Sequence, residues 1–234
     1  MRRTRQLNIG GINPRQTGPV APGRSVARRA PLSKRARGGQ ANERLPFVPP
    51  EDWHEPAETH SGYRFIVQPP GKGYRHVVTP QQVRQRLSQL PSDFVKPLEV
   101  VQFSRMTHKK QGFPCYGMQW GSAIYLYPIE ETLVECYHQS PKPNQVNEAR
   151  MYGGRWVEES PGTWSLIWTE QAIQDFYLNN ILIHELGHLL DERNSRQIDR
   201  ERFAEWFAVH YGYQATHHRR PPRRVFRRRH AKKG

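Results

Sequence analysis

The distribution of apolar and polar positions divides this chain into segments of different texture. Residues 1–45 mix Arg with Gly, Pro, Ser and Gln and have neither a period-2 nor a 3.6-residue apolar pattern. From Gly62 the pattern becomes ordered. Tyr63–Val67 (YRFIV) and Tyr74–Val78 (YRHVV) are β-rich runs on either side of PPGKG, which predicts a hairpin. Thr79 then has Pro80 after it and Gln82 three positions on, a capping-box pattern that opens a helix whose Val83, Leu87 and Leu90 share one face. Pro91 closes that helix.

Strands are predicted over Leu98–Phe103 and Ser122–Pro128, and over Thr132–His138, where a short helix is the alternative. A polar loop follows. Arg155–Glu159 and Trp164–Thr169 flank SPGT as a second hairpin. Two helical patterns end the ordered region. One runs from about Glu170 to Asp191 and is interruptible near Asn179–Asn180; the other runs from about Asp199 to Tyr211, with Gly212 as its stop signal. Strands first and long helices last predict an α+β fold over residues 62–216. Residues 46–61 are Pro-rich and acidic, a linker or an arm lying on that domain. The last stretch, 217–234, has one Val-Phe pair among basic residues.

Charge sharpens this division. The chain carries a formal net charge of +15, but residues 1–45 hold a net +10 and residues 217–234 a net +9, which leaves −4 on the middle. The two ends therefore read as disordered basic tails, too poor in apolar surface to offset the entropy of ordering them. Arg-rich tails of this kind suit nucleic acid or another polyanion, bound without sequence preference. No run approaches the ~18 apolar residues of a membrane span, and the Arg-bearing start has no apolar stretch of a secretory signal. Cys115 and Cys136 are too few for a disulfide framework, which favours a cytoplasmic setting.

The chemistry-bearing segment is ILIHELGHLLDE. His184 and His188 are four apart, so on a helix both imidazoles leave one face and can share a metal ion. Glu185 lies beside them, where H-E-x-x-H chemistry places the general base acting on a Zn²⁺-activated water. Ile181, Ile183, Leu186, Leu189 and Leu190 make this a buried helix, and Gly187 admits a close neighbour. A catalytic zinc site needs a third protein ligand. Glu201 and Glu205 supply candidates on the next helix, with twelve residues between His188 and Glu201 for a loop and a return.

HELGH followed by E-R-F-A-E-W-F-A resembles the gluzincin metallopeptidases, in particular the E-x-x-A-D/N-x-F-A signature of the CAAX-prenyl endopeptidase and ImmA/IrrE types, over about residues 181–210. The resemblance implies a zincin-like domain: a small, mostly antiparallel sheet, an H-E-x-x-H helix and a C-terminal helix with the third ligand. It maps the zinc-binding Glu of the signature onto Glu201, and onto Glu205 a residue orienting a ligand His. Here Glu stands where those families usually have Asp or Asn, so Glu201 and Glu205 both stay open as ligand.

The resemblance further implies that an extended substrate adds to an edge strand upstream of the metal helix, with Ser122–Pro128 the first candidate and Trp164–Thr169 the second. His210, Tyr211 and Tyr213 could steady an oxyanion, but core packing or surface exposure is the reading preferred for each; Asp191 could orient a ligand His or simply charge the helix end, and all four are left out of the site. The tryptophans at 120, 156, 164, 168 and 206 read as core. The expectation is a zinc-dependent metalloendopeptidase acting on protein or peptide substrates, its tails tethering it to nucleic acid. The alternative is a non-catalytic nucleic-acid-associated or structural protein that keeps a zincin-like domain.

Overall fold

The computed structural model describes residues 2–3, 50, 52–55, 62–112 and 115–217. The remainder of the basic stretches 1–45 and 217–234, and most of the 46–61 arm, lie outside the described residues. In chain order the elements are β1 (Arg2–Arg3), β2 (Arg64–Val67), β3 (Tyr74–Arg75), α1 (Pro80–Leu87), α2 (Ser92–Val95), β4 (Val100–Phe103), α3 (His108–Gly112), β5 (Gly117–Trp120), β6 (Ala123–Leu126) and β7 (Ile129–Glu130). There follow β8 (Val134–Tyr137), α4 (Pro143–Met151), β9 (Arg155–Ser160), β10 (Thr163–Ile167), α5 (Glu170–Phe176), α6 (Leu182–Leu190), α7 (Gln197–Phe207) and α8 (Ala215–His217). Wide π-helical turns, Tyr177–Ile181 and Ala208–Gln214, join α5 to α6 and α7 to α8. The fold is a mixed α+β arrangement with small sheets.

Local signals hold where the stabilising contacts are local. Thr79 Oγ1 accepts from the Gln82 amide at 3.2 Å while the Thr79 amide donates to Gln82 Oε1 at 2.8 Å, the reciprocal box that starts α1. A cap of this kind stabilises by about 1 kcal/mol. The β9–β10 hairpin forms as predicted, its turn using Gly162 at φ +80°.

The first predicted hairpin does not form. Its second run is only β3, which pairs with β7, while β2 pairs in parallel with β4. Gly71 and Gly73, both at positive φ, form the intervening turn, after which Tyr74 and Arg75 pair with Glu130 and Ile129 and not with β2. The main sheet runs β1-β5-β6-β4-β2, with β2, β4 and β6 mutually parallel, β5 antiparallel to β6, and β1 antiparallel to β5. It is mixed where a mostly antiparallel sheet is expected, although the smaller sheets and the β1-β5-β6 side are antiparallel. The connection holding α1 and α2 is long enough to return the chain to the same end of the sheet, as parallel pairing requires. β4 and β6 are buried on both faces, which is why neither alternates in polarity. His54 of the acidic arm lies on this sheet, stacked on Tyr125 and bonded to Gln102 at 2.7 Å.

The polar loop expected after β8 contains α4. Its inward face is Gln145, Glu148 and Ala149, so polarity hid the helix. Asn180 donates to Glu148 Oε1 at 2.8 Å, which satisfies one of these groups inside. Tryptophans 120, 156, 164 and 168 are buried or partly buried, but Trp206 is 52% exposed and stacks on His210.

Gly212 does not end its helix. It lies within the second π turn and the helix continues to His217. A Cβ at this position would overlap the carbonyl oxygen of Asn179 in the first π turn, so glycine lets the two turns cross. Arg86 ties the crossing together, donating to Asn179 Oδ1 and to the Tyr211 carbonyl. Because the obstacle is backbone, Gly212→Ala is expected to destabilise the protein by about 3 kcal/mol in urea unfolding.

A second buried cluster joins β8 to the body. Glu135 accepts from Tyr116 Oη at 2.9 Å, Trp168 Nε1 at 2.9 Å and Tyr137 Oη at 3.1 Å. Burial, with the charge of Glu130 adding to it, pushes its carboxyl up to about 7 against these three donors. A carboxyl raised in the folded state contributes stability that is present below its unfolded value and is lost as pH rises through the folded one. Thermal unfolding should therefore show stability falling between about pH 4.5 and pH 7. Glu135→Gln should flatten that fall.

Candidate metal centre

Leu182 to His188 are all buried, so α6 is enclosed by its neighbours and not merely laid on a surface. On one side Gly187 meets α7: a Cβ there would stand 3.0 Å from Ala204 Cα and 3.1 Å from Phe207 Cβ. The two helices approach this closely because Gly187 and Ala204 are small, with Phe207 packed beside them. On the other side β5 crosses the helix at Gly117, where a Cβ would come within 2.7 Å of Ile181 Cγ2 and 3.3 Å of Glu185 Oε1.

The close α6–α7 contact brings three ligand atoms together. Glu201 Oε2 is 3.6 Å from His184 Nε2 and 3.4 Å from His188 Nε2, and the three groups' ligand atoms lie within 4.8 Å of one another. The imidazoles are nearly perpendicular, with ring centroids 4.7 Å apart. Ligands at the usual ~2.0–2.1 Å from a tetrahedral zinc stand about 3.3–3.4 Å from each other, close to the two His–Glu spacings. The donor set of two imidazoles and a carboxylate is one that zinc accepts, and the three side chains fit an ion. His184, Glu185 and His188 are each at most 1% exposed. Burying such groups together is costly unless they are paired or hold a metal.

Glu201 is the ligand candidate that the fold selects; Glu205 is exposed on the same helix. Burial alone would raise the Glu201 carboxyl, but hydrogen bonding and charge from His184 and His188 outweigh it and hold the pKa down to about 2. Glu201 therefore stands ready as a carboxylate. Glu185 lies on the β5 side, its carboxylate facing the strand at Gly117.

The remaining sequence candidates have other surroundings. His210 is exposed against Trp206, Tyr211 packs on Phe94 and Phe207, and Tyr213 stacks on His217. Asp191 is buried just past α6, and its Oδ1 accepts from the Asn194 amide at 3.1 Å and Nδ2 at 2.9 Å.

Neither expected edge strand is an edge. β6, within Ser122–Pro128, has β5 and β4 as neighbours, and β10, within Trp164–Thr169, is the middle strand of the β8-β10-β9 sheet. The strand beside the metal helix is β5, whose outer side pairs antiparallel with Arg2–Arg3. The reading by pattern missed β5 because four residues buried almost throughout give no alternation; Gly117, a glycine in a strand, is the signal that marks a close backbone approach. It also missed Arg200, the basic residue just before Glu201.

Comparison with family models, with curated proteins and with solved structures finds no match to this chain. Among the described residues no helix is long and apolar enough to cross a membrane.

Purified chain exposed to zinc and then dialysed should hold one ion per His184–His188–Glu201 group, measured by elemental analysis. Glu201→Gln should lose that ion and Glu205→Gln should keep it. Equal retention by both variants would refute the assignment.

Proposed function

We propose that this protein is a zinc-dependent metallopeptidase-like hydrolase built on a zincin-like domain. The observation that carries the reading is the convergence of His184, His188 and Glu201 on one point, with the Glu185 carboxylate between the metal helix and the neighbouring strand. His184, His188 and Glu201 would hold the ion, leaving the fourth position of a catalytic site. Zinc in such a site supplies Lewis-acid polarisation of a carbonyl and lowers the pKa of water toward ~7.

The chain's own groups supply the rest. Glu185 takes the proton of the attacking water on its carboxylate and delivers it to the leaving amine, the general-base and general-acid role of one buried group. Apolar neighbours, Ile181 at the end of the π turn and Leu182, Ile183 and Leu186 on α6, exclude bulk water and strengthen each electrostatic contact inside. β5 would orient an extended substrate by strand addition. Support for this comes from β1: the two-residue strand Arg2–Arg3 pairs antiparallel with Met118 and Gln119 on that side of β5, the place a substrate strand would take over from it. The substrate class is accordingly an extended polypeptide segment. The basic stretches 1–45 and 217–234 would tether the hydrolase to a polyanion such as nucleic acid.

Glu185→Gln separates chemistry from metal binding. The variant should hold zinc as the wild type does and hydrolyse denatured casein about 10²–10⁴-fold more slowly. His184→Ala should lose both zinc and hydrolysis. Zinc-loaded wild type that is no more active on casein than Glu185→Gln would overturn the enzymatic reading.

A further inference from the structure

The metal ligands sit on two helices whose connection is weakly held. Residues 192–198 are exposed, apart from the partly buried Asn194, and bury little apolar surface. Segments of that kind open locally at low cost. Yet His188 near the end of α6 and Glu201 in the first turns of α7 are held 3.4 Å apart. One side chain spans this gap. Arg200 Nη1 donates to the Asp191 carbonyl at 2.6 Å and Nη2 donates to the His188 carbonyl at 3.0 Å. Its Nε is 3.9 Å from Asp191 Oδ2, and the Arg200 and Asp191 side chains are only 14% and 0% exposed.

We propose that Arg200 is a positioning residue for the metal centre, clamping the backbone of the second ligand to the residue that adjoins the third. This inference rests on the metal-centre reading above. The last carbonyls of a helix lack intrahelical donors, and a cation at that end also complements the helix dipole. Arg200 meets both needs at His188 and Asp191. The planar fork matters because two carbonyls must be met at once, which a lysine ammonium does less well. Asp191, itself oriented by Asn194, balances the buried guanidinium charge. Glu201 follows Arg200 in the chain, so a fixed guanidinium fixes where the Glu201 side chain leaves α7. The clamp thus sets the His188–Glu201 spacing before any ion arrives, and preorganisation of this kind is read in affinity.

The test uses the full chain and zinc alone, with affinity measured by competition against a chromophoric chelator and metal-free stability by urea unfolding. Arg200→Met is expected to weaken zinc binding about 10–100-fold, as loss of a partner behind metal ligands does, with Arg200→Lys between it and the wild type. Arg86→Met, which breaks the buried contacts between the π turns, should lower stability and leave zinc affinity unchanged. Unchanged affinity in both Arg200 variants refutes the clamp while the metal centre stands. Equal weakening in Arg86→Met also refutes it, by showing that general destabilisation suffices. If Arg200→Met does not fold, the Arg200→Lys affinity decides alone. Wild type that binds no zinc removes the metal-centre reading and the clamp with it.

Discussion

Close contact between α6 and α7 at Gly187 and Ala204 is the constraint on which the rest of the molecule depends. Two helices that meet almost backbone to backbone set the two enclosed imidazoles of α6 against the partly exposed Glu201 carboxylate of α7, while Glu185 is enclosed on the β5 side of the same helix. Polar groups so enclosed need partners within the protein or an ion among them. The sheet completes the enclosure from the other side, where glycine at 117 lets β5 lie on the same helix. The candidate chemistry is therefore set at a junction of three layers: strand, metal helix and ligand helix.

The molecule places carboxylates in two kinds of surroundings. Glu135 is surrounded by three donors from aromatic side chains and joins the small β8-β10-β9 sheet to the body. Its role is complete in the cluster that holds it. Glu201 instead faces two histidine nitrogens, and Glu185 faces a strand whose outer side accepts another chain segment. The same residue type is a joint in one place and a reactive candidate in the other, and the difference lies in what surrounds the oxygens.

Legibility followed the range of the interactions. The capping box at Thr79, the Gly162 hairpin and the i, i+4 histidines were readable because their partners lie within a few residues. β2 and β3 misled because each pairs with a strand far along the chain. α4 was hidden by Gln145 and Glu148 on its inward face, which are satisfied only in the folded state. Within the site, His184, Glu185 and His188 were legible together, whereas Glu201 and Glu205 lie one turn apart and only the crossing of two helices separates them. Arg200 left no trace in the pattern, since its partners are carbonyl oxygens that every residue has.

The π turn between α5 and α6 has one further consequence. Each residue of an α-helix advances about 100° around the axis, so a widened turn resets the angular phase of everything after it. The segment from Glu170 to Leu190 is thus one rod with two independently set faces: α5 directs Ile173 and Phe176 into the core, and α6 directs the two histidines toward α7. A change of length within Tyr177–Ile181 would turn the metal-facing side away from its partner helix while leaving the core-facing half in place. In this stretch the number of residues is itself a structural constraint, beside the contacts that Asn179 and Asn180 make.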